Sequence, residues 1–254
     1  MDKFFNSLTL RLNRLKYLLT RRDPLSGIKI SNNSPKLILG NNYAKWIIPK
    51  NSIDSSSICY SVGAGEDVSF DIALVKKFNV DVYIFDPTPK AIDYFKRGTR
   101  ISEDGKCIFD ITKTEISKLK YFEFGVWNTN GTVKFYEPID KSHVSHSIVN
   151  LQKTDTFINV EVRKIDFLMQ MLLHKKIDLL KLDIEGAERF VIDTILTDNI
   201  LPQILCIEFD EILNPVSESS KEDIKGTILK LIKNGYELFS IDIPSNYTFV
   251  RHGE

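Results

Sequence analysis

The sequence has few of the residues that staple a small secreted protein or build a zinc site. Its 254 residues include three cysteines, Cys59, Cys107 and Cys206, and four histidines. Three cysteines so far apart exclude a disulfide framework and a zinc cluster. Because Cys59 and Cys206 lie inside apolar runs, we expect both to be buried free thiols in a reducing compartment.

The sequence also lacks net charge and long apolar segments. Its 34 basic side chains balance 34 acidic ones. This balance excludes a nucleic-acid-binding protein that relies on bulk positive potential. No apolar run approaches the roughly 18 residues that a membrane-spanning helix needs. With 43% hydrophobic residues, the composition is that of a globular protein with a full-sized core, and we expect a cytoplasmic location.

The first 22 residues differ in character from the rest of the chain. Apolar residues recur there at helical spacing, and six basic side chains accompany a single acid. The basic residues interrupt the apolar stretch, which excludes a secretory signal. We predict an amphipathic helix over residues 1–22 and a single domain over residues 23–254. Two alternatives are open for this helix: it packs on the domain, or it makes a peripheral contact with the inner face of a membrane.

From residue 58 onward, short apolar runs alternate with helical patterns. Strands are expected at 58–62, 81–85, 121–126, 132–136, 159–162, 177–182 and 204–209. Helices are expected up to residue 78 and at 89–97, 112–119, 166–174, 186–196 and 217–233. Two closing strands, 236–241 and 247–251, have no helix between them and should pair antiparallel at one edge. The pattern predicts a doubly wound α/β domain around a mostly parallel sheet.

In such a sheet, ligands bind where the strands end, near the point at which the strand order reverses. The strand at 58–62 leads into Ser61-Val62-Gly63-Ala64-Gly65-Glu66-Asp67, whose glycines permit a tight turn and close approach of the backbone to a ligand. Asp86, followed by Pro87, stands about twenty residues later at the end of the next strand. A carboxylate there can accept both hydroxyl hydrogens of a ribose. Together these features predict a cofactor that contains adenosine.

The charges near the turn bear on which cofactor this is. A dinucleotide fingerprint requires a third small residue where this chain has Val68, and Glu66 and Asp67 would repel a pyrophosphate at the helix N-terminus. S-adenosylmethionine carries an ammonium and a sulfonium and no phosphate, so the two acids favour it over NAD. The alternative is that both acids only stabilise the helix dipole.

A second acidic segment follows the strand at 177–182. It reads Asp183-Ile184-Glu185-Gly186-Ala187-Glu188, and Asp183 and Glu185 point to the same side at the ligand edge of the sheet. Two carboxylates at the mouth of a cleft can act as a general base or hold a polar substrate. The next strand adds Glu208, Asp210 and Glu211, so a divalent cation is an alternative occupant. Glu185 and Glu188 are also placed to cap the following helix.

Together these segments resemble the FkbM family of S-adenosylmethionine-dependent methyltransferases. The resemblance is carried by SVGAGEDVSFD at 61–71, FDPTP at 85–89, FGVW at 124–127, SHS at 145–147 and KLDIEGAE at 181–188. It implies a Rossmann-like class I methyltransferase fold, with a seven-stranded mostly parallel sheet, an antiparallel edge strand and here an N-terminal helical extension. It also implies O-methylation of a sugar, glycan or small natural product. The family pattern usually has Asp where this chain has Ser61.

His146 and Trp127 complete the candidate site. His146 is expected on a loop over the cofactor, where its imidazole could take the proton of a hydroxyl during methyl transfer; alignment of the reactants alone is the alternative. Trp127 is expected either at the adenine ring or in the core. The predicted catalytic residues are His146, Asp183 and Glu185. The predicted cofactor-binding residues are Ser61, Gly63, Ala64, Gly65, Glu66, Asp67, Asp86, Pro87, Trp127 and Asp183.

The sequence leaves three functions open. The leading one is an S-adenosylmethionine-dependent O-methyltransferase with a small-molecule or glycan substrate and no nucleic-acid partner. The second is an NAD-dependent sugar-modifying oxidoreductase, which Val68 and the two acids at the turn disfavour. The third is a catalytically degenerate cofactor-binding module, whose support is Ser61 in the place of the usual acid. Assembly into a homo-oligomer is left open.

Overall fold

The computed structural model describes residues 27–31, 34–138, 146–150, 153–212, 215, 217–242 and 245–251. The predicted helix over residues 1–22 lies outside these described residues. Among the described residues, no helix has both the length and the apolar character needed to cross a membrane.

The described chain contains twelve strands and six α-helices. The strands are β1 (Lys36–Leu39), β2 (Trp46–Pro49), β3 (Ile58–Val62), β4 (Asp81–Phe85), β5 (Leu119–Phe122), β6 (Gly125–Val126), β7 (Gly131–Tyr136), β8 (Phe157–Arg163), β9 (Leu179–Leu182), β10 (Ile204–Glu208), β11 (Tyr236–Asp242) and β12 (Asn246–Arg251). The helices are α1 (Ser69–Phe78), α2 (Pro89–Gly98), α3 (Lys113–Ile116), α4 (Ile165–Met171), α5 (Glu188–Thr197) and α6 (Ser220–Lys233).

A seven-stranded sheet lies at the centre of the fold, with the strand order β11-β12-β10-β9-β3-β4-β5. Pairing is parallel from β10 across to β5, and β12 runs antiparallel to both of its neighbours. The predicted mostly parallel, seven-stranded Rossmann-like sheet is therefore confirmed. Its closing strands pair antiparallel as expected, and the antiparallel strand β12 lies one place in from the edge, with β11 outermost.

The central strands are buried on both faces, because helices cover the sheet from both sides. Leu180 and Leu182 of β9 pack in one core with apolar residues of α4, α5 and α6. Leu179 of β9 and Cys206 of β10 pack in a second core with apolar residues of α1. Cys59 and Cys206 are both fully buried free thiols, as the sequence predicts.

The fold differs from the sequence prediction at both sides of the sheet. The strand expected at 121–126 is two strands, because β5 ends at Phe122 and β6 joins β7 and β8 in a separate three-stranded sheet. The β1–β2 hairpin was not predicted, although its Trp46 and Ile48 are buried in the core that contains α1. Some bounds also shift: β9 begins at Leu179 and α4 ends at Met171.

Candidate active site

The candidate site lies where β3, β4, β9 and β10 end. Two backbone hydrogen bonds hold the first three strand ends together: Gly63 N donates to Phe85 O at 3.0 Å, and Asp183 N donates to Val62 O at 3.1 Å. Gly63 has a φ of +83°, and a Cβ there would collide with the carbonyl oxygen of Asp183. Glycine at this position is therefore what lets the turn after β3 lie against the turn after β9.

The carboxylate of Asp86 organises the glycine turn. Its Oδ2 accepts hydrogen bonds from the backbone N–H groups of Ala64 at 2.9 Å and Gly65 at 3.0 Å. Its Oδ1 accepts from the backbone N–H of Thr88 at 2.8 Å and from the Thr88 hydroxyl at 2.6 Å. A carboxylate offers about four acceptor positions, so ribose hydroxyls would have to share or replace these donors. The ribose role of Asp86 stays a prediction, to which the structure adds a role in shaping the turn.

The acids that follow the glycines stand at the N-terminus of α1. Asp67 Oδ1 accepts from the backbone N–H of Ser69 at 2.8 Å, which satisfies a free donor of the first helical turn. Glu66 is exposed beside it. Val68, at the place of the third small residue in a dinucleotide fingerprint, is fully buried in the core. The turn thus presents negative charge to a ligand. A pyrophosphate would instead need hydrogen-bond donors at this helix N-terminus and no acidic side chain.

A buried lysine, which the sequence analysis did not single out, lies beneath the turn. Lys181 Nζ donates to the carbonyl oxygen of Gly63 at 2.5 Å and lies 2.9 Å from Asp183 Oδ2. Burial alone would lower the pKa of Lys181, but Asp183 and then Asp71 raise it, and the net direction is upward. Ser61, one of the predicted cofactor-binding residues, is fully buried on β3 beside Lys181 and does not reach the surface of the turn.

The acidic segment after β9 divides into a structural and an exposed part. Glu188 is 1% exposed, and its Oε1 accepts from the backbone N–H groups of Ile184 at 2.9 Å and Gly186 at 3.2 Å. Burial raises the pKa of Glu188 well above its ordinary value. Glu185 has a φ of +55°, in the left-handed region, and is half-buried at the cleft together with Asp183. Asp183 and Glu185 are the two carboxylates of this segment that can meet a ligand.

Two acids at the end of β10 extend this group. Glu208 Oε1 accepts from the Ser245 hydroxyl at 2.7 Å, and burial, followed by the charge of Asp183, raises the pKa of Glu208 to about 8. Burial, followed by the charge of Glu185, raises the pKa of Asp210 well above its ordinary value. Asp210 Oδ2 has no hydrogen-bond partner among the described residues. Glu211, in contrast, is buried in an ion pair with Arg189 at 2.8 Å.

His146 is placed beside the acidic segment through its neighbour Ser147. The Ser147 hydroxyl donates to the carbonyl oxygen of Glu185 at 2.5 Å, and His146 is half-buried at this point. Trp127 packs against Phe190 of α5, with ring centroids 5.1 Å apart, and no described contact joins it to the glycine turn. His143, the neighbouring histidine that the sequence offers as an alternative to His146, lies outside the described residues.

The acidic side chains that converge here fit a cationic cofactor better than a metal ion. Among the described residues, no group of three or more His, Cys, Asp or Glu side chains could hold a metal ion. The acids at the cleft stand instead beside a turn whose backbone can approach a ligand closely. An ammonium and a sulfonium find acceptors and counter-charges there, and the orphaned Oδ2 of Asp210 leaves one buried acceptor unfilled. The acids that supply these counter-charges are Glu66, Asp67, Asp183 and Glu185, whereas the raised pKa of Glu208 favours its neutral form.

Residues 50–238 match the model of the family described as Methyltransferase FkbM domain. No curated protein matches the chain. Among solved structures, it is similar to an rRNA methylase from Streptococcus thermophilus, with 13% identity, a TM-score of 0.42 and coverage of 80% of this chain and 90% of that one. It is also similar to a Methanococcus jannaschii fibrillarin pre-rRNA processing protein, at 11% identity and a TM-score of 0.44, over 89% of this chain and 88% of that one. A third is the SAH-bound Podospora anserina methyltransferase PaMTH1, at 9% identity and a TM-score of 0.41, over 78% of this chain and 72% of that one.

Proposed function

The chain belongs to the FkbM methyltransferase family and is of the S-adenosylmethionine-dependent type, and from this premise we propose that it methylates a hydroxyl group of a sugar, glycan or small natural product. The observation that carries the proposal is the meeting of carboxylates from β9 and β10 with the glycine turn at one edge of the sheet. Carboxylates are strong acceptors for hydroxyl hydrogens, which suits an acceptor that carries several hydroxyl groups.

The residues of the turn have separate tasks in holding the cofactor. S-adenosylmethionine supplies an electrophilic methyl group on a sulfonium, and its transfer leaves S-adenosylhomocysteine. Ala64 and Gly65 bring backbone close to the ligand, with Asp86 fixing their N–H groups and facing the ribose. Glu66 and Asp67 supply negative charge near the amino-acid end. Because Val68 is part of the core, the same turn is a poor dinucleotide site.

The acceptor hydroxyl is held at the acidic segment in this proposal. Asp183 and Glu185 accept its hydrogen bonds, and His146 takes the proton as the oxygen attacks the methyl carbon. In that role His146 would hold the proton of the acceptor hydroxyl, and its imidazolium would carry the positive charge that the sulfonium loses on methyl transfer. The loop that carries His146 is held at the acidic segment, since the Ser147 hydroxyl donates to the backbone carbonyl of Glu185 at 2.5 Å. Alignment of the hydroxyl with the methyl group supplies much of the acceleration.

The proposal is tested by incubating the protein with methyl-labelled S-adenosylmethionine and a panel of monosaccharides, nucleotide sugars and oligosaccharides. We expect label in an alkali-stable methyl ether, with stoichiometric formation of S-adenosylhomocysteine. The comparison variant is His146→Asn, which should bind the cofactor but transfer the label poorly. Label that appears in an alkali-labile ester, on nitrogen or in added RNA, and in no hydroxyl acceptor, contradicts O-methylation of a sugar or natural product.

A further inference from the structure

The loop between β1 and β2 is fastened to the glycine turn. Asn41 Nδ2 donates to Asp67 Oδ2 at 2.5 Å, and Asn41 N donates to the Ser69 hydroxyl at 3.0 Å. Asn41 Oδ1 in turn accepts from the backbone N–H groups of Tyr43 at 2.7 Å and Ala44 at 3.0 Å. One side chain therefore closes the loop on itself and ties it to the start of α1, at the candidate cofactor site.

Tyr43 projects from this fastened loop. Its side chain is 84% exposed, whereas Trp46 and Ile48, on the strand that follows it, are 2% and 0% exposed. The buried strand anchors the base of the loop, and Asn41 anchors its tip. An exposed aromatic ring on a backbone held at both ends is presented in a defined direction.

These hydrogen bonds place Tyr43 beside the glycine turn, because its backbone N–H donates to Asn41, which itself donates to Asp67 and Ser69. Partial desolvation raises the pKa of the Tyr43 phenol, and four carboxylates raise it further: Glu208, Asp183, Glu185 and Asp67. These carboxylates come from the ends of three strands or turns, in agreement with the place of Tyr43 beside the glycine turn at the rim of the cleft.

We propose that Tyr43 is a positioning residue that lays its aromatic ring against the positively charged sulfonium end of S-adenosylmethionine. The proposal rests on the proposed function, since it takes the cofactor site as given. The carboxylate rim draws a cation into the space beside Tyr43, and the negative face of an aromatic ring attracts a cation within about 6 Å of its centre. Tyr43 precedes residues 50–238, which match the family model, so the hairpin adds this contact to the family domain.

The charge of the ligand gives a direct test. S-adenosylmethionine and S-adenosylhomocysteine differ by one methyl group and the positive charge on sulfur, so a cation–ring contact acts on the first and not on the second. We expect Tyr43→Leu to weaken S-adenosylmethionine binding about 3- to 10-fold in calorimetric titration and S-adenosylhomocysteine binding less than about 2-fold. Tyr43→Phe, which keeps the ring, should retain the wild-type ratio of the two affinities. Thermal unfolding of both variants should match the wild type, because Tyr43 is exposed.

Every other outcome contradicts the proposed contact between Tyr43 and the sulfonium. Equal weakening of both ligands by Tyr43→Leu, or no weakening of either, overturns the cation–ring contact while leaving the proposed function intact. Loss of the ratio in Tyr43→Phe shows that the hydroxyl makes the contact and also overturns the proposal. A wild-type protein that binds neither ligand overturns the proposed function and this inference together.

Discussion

Lys181 Nζ lies 2.9 Å from Asp183 Oδ2 and 2.5 Å from the carbonyl oxygen of Gly63, so one buried ammonium joins the glycine turn to the acidic segment. The cofactor half and the acceptor half of the candidate site therefore both contact the ammonium group of Lys181. Removing one member of a buried ion pair leaves the other without a partner, which is strongly destabilising.

The ammonium group of Lys181 should be needed for the stability of the fold. Lys181→Met should lower the free energy of unfolding by about 1–3 kcal/mol, because the Gly63 carbonyl loses its donor and the half-buried Asp183 loses its charged partner. It should also weaken S-adenosylhomocysteine binding in the fraction that folds. The matched control is Lys96→Met, whose ion pair with Glu123 is exposed and should contribute less than about 1 kcal/mol. Urea unfolding measures both, and equal stability of the two variants contradicts the prediction.

Asp86 should be needed for both the turn and the ligand. Asp86→Ala leaves the N–H groups of Ala64, Gly65 and Thr88 without their acceptor, and each such group costs about 1–3 kcal/mol when buried. We expect a lower melting temperature and at least a tenfold loss of S-adenosylhomocysteine affinity. Asp93→Ala, at an exposed ion pair on α2, is the control and should change neither. Unchanged ligand affinity in Asp86→Ala refutes its place in the cofactor site.

Glu188 should tolerate glutamine better than alanine. Burial raises its pKa well above the ordinary value, so the neutral acid is favoured and glutamine has nearly the same shape. Glu188→Gln keeps an acceptor for the backbone N–H groups of Ile184 and Gly186, whereas Glu188→Ala removes it. Chemical denaturation at pH 7 should show the alanine variant less stable by about 2–4 kcal/mol. If both variants unfold alike, the hydrogen bonds of Glu188 do not hold this turn.

Glu208 should make stability depend on pH. Burial and the charge of Asp183 raise its pKa to about 8 in the folded chain, against about 4.3 in an unfolded one. The folded state therefore keeps a proton that the unfolded state releases, and this part of the stability is lost as pH rises from about 4.3 through 8. Glu208→Gln cannot titrate, so its stability should fall less than that of the wild type between pH 5 and pH 9. Parallel stability curves over this range, measured by urea unfolding, are the opposing result.

His146 should affect turnover and leave cofactor binding alone. With an acceptor from the transfer assay in hand, His146→Asn should lower kcat about 100-fold, because the proton of the hydroxyl loses its base. The calorimetric affinity for S-adenosylhomocysteine should stay at the wild-type value. An unchanged kcat assigns the acceleration to alignment of the reactants instead.

Much of the fold could be predicted because its central strands are continuous apolar runs between polar segments. β3 and β4 have the bounds that the sequence predicts, since each is a short and mostly buried run of residues. The β1–β2 hairpin escaped prediction because its strands have four residues each and β1 is mostly exposed. Gly40 and Asn41 between two short apolar runs were the available signal for it.

The part of the candidate site that lies just after the ends of the strands could be predicted from the sequence. Asp86 and Asp183 each follow an apolar strand directly and Glu185 comes two residues after Asp183, so the rule for parallel sheets places them at one edge. Lys181 could not be assigned in this way, because a lysine within Leu-Leu-Lys-Leu is expected to point to solvent. Its partner Gly63 is 118 residues away in the chain, and only the pairing of β3 with β9 brings them together.

The most direct test of the account is calorimetric titration of the wild-type protein with S-adenosylhomocysteine, and with NAD under the same conditions. We predict binding of S-adenosylhomocysteine in the micromolar range and no heat from NAD, because the turn carries two acids and has a core valine where a dinucleotide site needs a small residue. Absence of S-adenosylhomocysteine binding by a protein that unfolds cooperatively, or tighter binding of NAD, would contradict it.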